Sequence, residues 1–368
     1  MNAHDRSFFT RTSAVQTLLQ PHRGPVDGDH YLPADPAAVH WGLLPNARSK
    51  PALSVSSGAI VSLDTISHEG ILADQGRDPD AFFAAAGIHG ILHDTAELAA
   101  STRLHDPGVH GPHVVTGPVH IQGAEPGDVL EVEVLRLRRR APYGVISNRH
   151  GKGALPGEYP RGPGPDPVSL VATVDDDGRG RLPVGDGRDI RFPLRPFLGI
   201  MGTSPATEAP VHSVPPGPHG GNLDVRHLGV GARLFLPVAV EGALFYAGDP
   251  HFSQGDGEVA LTAFEAPLRA TLRLTVHRDP ALRRLASRLR APFAETDTEH
   301  IVMGLATDLD EAMRHAVRDA LTLLDERFSV PGPVALAYLS AAADFQVSQV
   351  VDIVKGVHCR ISKADLTF

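Results

Sequence analysis

The chain has 368 residues, 42% of them hydrophobic and 21% charged, enough for a substantial buried core and unlike a disordered composition. Its formal charge of −9 and the absence of any basic run longer than Arg138–Arg140 exclude a nucleic-acid footprint. The single cysteine, Cys359, excludes an intramolecular disulfide and multi-thiolate zinc sites, and its setting, Val-His-Cys-Arg-Ile-Ser, reads as a strand.

In chain order, residues 1–39 read as an arm. Its start, Met1-Asn-Ala-His-Asp-Arg-Ser, resembles no secretory signal, and no stretch of the chain reaches bilayer-spanning length. A soluble cytoplasmic protein with no membrane partner is expected. From Pro51 the texture is β-like, with strands predicted over 52–56 and 59–65. A strand at 118–123, a Pro-Gly turn at 126–127 and a long alternating strand from Val129 follow. Residues 141–167 turn to Gly and Pro and read as a long loop. Asp-Gly turns at 177–178 and 186–187 punctuate short strands. Strand texture returns over 232–247 and 268–276.

Helices are predicted late. Thr307-Asp-Leu-Asp310 has a box-like cap, and Leu309, Ala312, Met313, Ala316, Ala320, Leu324 and Phe328 form a stripe at helical spacing. A second helix is predicted over Val334–Phe345. The expected fold is mainly β, a sandwich-like architecture in two strand-rich halves (40–190 and 191–368) with a small helical element near the carboxyl end. Neither strand–helix alternation nor a complete dinucleotide or phosphate-loop motif supports a doubly wound sheet.

The densest polar constellation is Asp249-Pro-His-Phe-Ser-Gln-Gly-Asp-Gly-Glu258. Its carboxylates and imidazole suit metal ligation or proton transfer, and its glycines let several side chains converge from one loop. Taken singly, each residue also has an ordinary structural role. Upstream, Pro215 through Gly221-Asn222-Leu-Asp224 places an amide and a carboxylate on a glycine-rich loop, where backbone N–H groups suit an oxyanion. His68-Glu69-Gly70 and His40-Trp41-Gly42 offer a histidine to complete a metal shell. No Gly-x-Ser-x-Gly elbow supports a serine hydrolase.

Four ordered segments carry a resemblance. They are Thr116-Gly-Pro-Val-His-Ile-Gln-Gly-Ala-Glu-Pro-Gly-Asp-Val; Pro193-Leu-Arg-Pro-Phe-Leu-Gly-Ile-Met-Gly-Thr-Ser-Pro-Ala; Pro215-Pro through Asp224; and Leu236-Pro-Val through Gly248-Asp-Pro-His and Gln254-Gly-Asp-Gly-Glu258. From about Pro51 to Ile361 the chain resembles the acetamidase/formamidase family. The resemblance implies a β-sandwich-like fold, a homo-oligomer, and hydrolysis of short aliphatic amides to carboxylate and ammonia, with zinc or another divalent metal. Some relatives open small cyclic amides. A calcium-holding binding module is the non-catalytic alternative.

Chemistry then suggests roles. Glu258 is expected as general base, with Asp256 assisting it or a ligand. His251, Asp249 and His68 are expected to hold the metal, and Asn222, Asp224, Gln254 and Gly221 to line the substrate subsite. Two stretches depart from the family pattern. Ser67-His-Glu-Gly-Ile-Leu-Ala-Asp-Gln-Gly stands where relatives carry an Asp and a Gly-Gly-Gln turn. Gly217-Pro-His219 replaces an Arg-x-Asn run.

Overall fold

A computed structural model describes residues 18–101, 105–162 and 166–367. The first part of the expected arm, and part of the 141–167 loop, lie outside the described residues. The described chain is mainly β. A nine-stranded sheet runs in the order His30–Leu32, Ala59–Asp64, Leu268–His277, Val129–Arg139, Arg233–Pro237, Phe293–Glu295, Glu299–Ala306, Lys355–Ser362, Asp344–Gln349. All its pairings are antiparallel except the first.

An eleven-stranded sheet is built around Phe245–Ser253, flanked by Phe197–Gly202, Phe264–Glu265 and Val114–Ile121. Each sheet takes strands from before and after residue 190. Alternation explains the layering. In Val129–Arg139, Leu130, Val132 and Val134 point inward while Glu131 and Glu133 stay partly exposed. They meet Phe245, Ala247, Phe252 and Phe264 of the other sheet in one apolar core.

Some predicted elements shift. Tyr143–Asn148 is a strand inside the stretch read as a loop. Its Gly144 is no breaker: a Cβ there would meet Ala266 Cβ at 2.6 Å, so glycine permits the close approach of a neighbouring strand. The run 232–247 splits into Arg233–Pro237 and the start of Phe245–Ser253, because Ala243 and Leu244 turn on positive φ. Two short helices, Pro79–Ala85 and His93–Ala100, lack the long stripe that marks the later ones.

Helix Leu309–Phe328 forms as predicted, but Asp308 is its cap, accepting the Glu311 N–H at 2.9 Å. Ala312, Ala316, Ala320, Leu323 and Leu324 are buried, while Met313 is turned outward. The next helix is Gly332–Ala342, and Phe345 belongs to the strand after it. Among the described residues no helix is long and apolar enough to cross a membrane.

Candidate active site

Strand Phe245–Ser253 carries Asp249 and His251 into the interior. The pairing with Phe197–Gly202 runs His251 to Phe197 and Gly248 to Ile200, which brings Gly199 beneath the two side chains. A Cβ on Gly199 would sit 2.5 Å from both Asp224 Oδ1 and Asp249 Oδ2 and 2.8 Å from His251 Cε1. Glycine is required there by space. Glu265 faces His251 across the next strand pair.

These contacts link up. His251 Nε2 lies 3.1 Å from Asp249 Oδ2 and 3.1 Å from Glu265 Oε1, and its Nδ1 lies 3.8 Å from Asp224 Oδ1. Asp249 Oδ1 lies 3.5 Å from His68 Nδ1 and 4.0 Å from His113 Nε2. His113 is held by Ser213 Oγ at 3.1 Å. His68 reaches Glu69 at 3.4 Å, and Arg149 donates to the same carboxylate at 3.0 Å.

Four groups of possible metal donors overlap here, each with its donor atoms within 4.8 Å of one another: His68–His113–Asp249, Asp224–Asp249–His251, His251–Glu258–Glu265 and Asp224–Glu258–Asp352. All these residues are buried. His68, His113, Asn222, Asp224, Asp249, Glu258, Glu265 and Asp352 line a cavity of about 590 Å³, whose walls include Leu72, Leu261, Val350 and Val351.

Burial and mutual charge govern the protonation states. Burial pushes Glu258 well above the usual carboxylate range, with the Asp224 charge adding to it. Burial and Asp352 do the same to Asp224, and burial and Glu258 to Asp352. Burial also opposes the Asp249 anion, but His251 and His113 outweigh it and hold that carboxyl well below its ordinary value. Burial opposes the His68 cation, yet the Asp249 and Glu69 carboxylates beside it raise it to about 10. His113, with weaker partners, is lowered by burial to about 4.

The donor set fits a divalent cation. Asn222 Oδ1, Asp224 Oδ1, Asp249 Oδ1, Asp352 Oδ2 and His68 Nδ1 are buried without a hydrogen-bond partner. Such atoms are costly unless something answers them. Burial and mutual repulsion disfavour the anions of three crowded carboxyls, and a cation among them would relieve that repulsion.

Of the predicted residues, His68, Asn222, Asp224, Asp249, His251 and Glu258 converge. Gln254 is buried but works as a brace, donating to the Asp224 and Ser348 carbonyls at 3.0 and 3.1 Å. Gly221 lies in the strand Gly220–Asn222, paired with Phe197–Gly202, and is not among the cavity-lining residues. Asp256 is turned outward between Gly255 and Gly257 and pairs with Arg226 at 2.7 Å. It does not join the cluster. His113, Glu265 and Asp352 were not anticipated from sequence. Glu265 and Asp352 had a signal, each being a lone acid in an apolar run (Ala263-Phe-Glu-Ala and Val350-Val-Asp-Ile-Val).

The model of the acetamidase/formamidase family matches residues 94–213 and 206–362. An acetamidase of Mycolicibacterium smegmatis is 28% identical over 40% of this chain and 49% of its own length. A formamidase of Methylophilus methylotrophus is 27% identical over 40% of this chain and 47% of its own. The chain thus spans about half the length of the curated relatives it matches. The crystal structure of an acetamidase from Bacillus halodurans superposes with a TM-score of 0.70 at 26% identity, covering 92% of this chain and all of that one. An acetamidase structure from Yersinia enterocolitica gives 0.71 over 96% of this chain and 97% of its own, a likeness of fold at 23% identity. The family model covers most of the chain, two of the segments that first suggested it bear Asn222, Asp224, Asp249 and Glu258 of the cavity lining, and the chain belongs to the acetamidase/formamidase family.

Proposed function

We propose that this protein hydrolyses the C–N bond of a small carboxamide, releasing carboxylate and ammonia, in the cavity floored by Asp249 and Glu258. The observation that carries this is the convergence of buried, unanswered donor atoms on one cavity wall. His68, His113 and Asp249 would hold a zinc ion. Two imidazoles and one carboxylate match a three-ligand catalytic set, and all three residues line the cavity. Bound zinc would supply positive charge that polarises an amide carbonyl, acidifies water and favours the carboxylate form of Glu258 over its acid.

The chain's own residues do the rest. Glu258 accepts a proton from water as the new C–O bond forms, then returns it to nitrogen as the C–N bond breaks. Asn222, which also lines the cavity, binds the substrate carbonyl or its developing oxyanion. His251 stands behind Asp249 and fixes its second oxygen, orienting the ligand. The apolar wall of Leu72, Leu261, Val350 and Val351 excludes bulk water.

The cavity volume of about 590 Å³ also favours amides with a larger acyl or ring portion than acetamide. Ammonia release from an amide series by zinc-loaded protein tests the activity. Glu258→Gln is expected to lower turnover by about 10²- to 10⁴-fold with the fold retained. Wild-type turnover in that variant would remove Glu258 from the chemistry.

A further inference from the structure

A second histidine–carboxylate cluster lies outside the cavity. His227, Asp256 and His358 bring one donor atom each to within 4.8 Å of the others. They come from three places: the turn after Asp224, the outward tip of the Asp249–Glu258 segment, and strand Lys355–Ser362.

The two imidazoles are prepared as ligands are. His358 is wholly buried, with Nδ1 2.8 Å from the Ser348 hydroxyl and Nε2 buried without any partner. His227 packs edge-on to the His358 ring, and its Nε2 is likewise buried and unpartnered. Metal-bound histidines use one ring nitrogen as ligand and give the other to a neighbour that fixes the ring. Packing alone gives no reason for two neighbouring imidazoles, their ring centroids 5.2 Å apart, to keep both Nε2 atoms buried and unsatisfied.

The nearby cations are already answered, Arg226 by Asp256 at 2.7 Å and Arg360 by Glu299 at 3.0 Å. A cleft of about 270 Å³ bordered by Arg195, Arg226 and His227 opens beside one ligand, and Asp256 is itself exposed.

We propose that Nε2 of His227, Nε2 of His358 and the Asp256 carboxylate form a second, structural site for a divalent transition metal, with zinc the ion their chemistry fits. The ion staples the loop bearing Glu258 to the strand pair whose connection bears Asp352. Gly257 already pairs with Gln349 in a parallel bridge, and Gln254 with the Ser348 carbonyl, so the metal completes an existing seam. This explains why Asp256 sits in the signature loop yet turns away from the cavity.

The test uses the full chain, stripped with chelator, reloaded with Zn²⁺ alone and desalted before elemental analysis, with circular dichroism confirming the fold. His227→Ala is expected to retain one equivalent of zinc fewer than wild type, and Asp249→Asn is expected to keep that equivalent. If His227→Ala is misfolded, His227→Gln replaces it. Ser348→Ala is expected to weaken zinc at this site by about 10- to 100-fold, since it removes only the group that orients His358. Equal zinc in wild type and the His227 variant would overturn the proposal, as would complete loss of zinc in Asp249→Asn.

Discussion

Asp224, Asp249 and Glu258 all lie on left-handed backbone, with φ of 49°, 51° and 46°. For residues other than glycine this costs about 1–2 kcal/mol each, and such strain gathers where side chains must be aimed. Here it aims three carboxylates at one point. The sequence showed Asp249 and Glu258 as members of a polar loop, but nothing in it told them apart from Asp256, because alternation fails where φ turns positive. Gly199 is the complementary position. Gly199→Ala would push a methyl group between Asp224, Asp249 and His251, and turnover is expected to fall by about 10²-fold. Amide hydrolysis with the circular dichroism spectrum unchanged checks this; wild-type turnover would show that the three side chains have room to move.

Among the elements, helix Leu309–Phe328 depends on small residues. Ala312 and Ala316 are fully buried against strand Glu299–Ala306, where a Cβ on Gly304 would land on the Ala312 carbonyl and the Ala316 backbone. Gly304→Ala is therefore expected to destabilise the fold by roughly 1–3 kcal/mol, read as a lower urea midpoint, because the obstacle is backbone and cannot swing aside. The helix was legible from its stripe, since 3.6-residue periodicity is a local property. Strand Tyr143–Asn148 was not. Its Gly144 serves a contact with Glu265 and Ala266, more than a hundred positions away, and looks like a loop residue until that neighbour is known.

On the scale of the whole molecule, a core that houses so many ionisable groups must respond to pH. His219 is the simplest case, lowered from 6.5 to about 4 by burial, with its Nε2 unpartnered. Between those values the unfolded chain binds a proton that the folded chain refuses, so stability falls as pH drops through the window. The contribution approaches about 1.4 kcal/mol per pH unit for such a group. Urea denaturation at pH 7 and pH 5 should show wild type losing more stability than His219→Gln. Equal losses would mean that water or a local opening lets the imidazole charge.

By itself the sequence determined the mainly β character, the late helices and the polar segment Asp249–Glu258, because periodicity and loop chemistry are written in neighbouring residues. Tertiary structure alone decided that His113, Glu265 and Asp352 join the expected His68 and Asp224 at that segment, and that Asp256 leaves it for His227 and His358. Sheet pairing makes neighbours of residues far apart in the chain, and a lone histidine or acid carries no local mark of the partner it will meet.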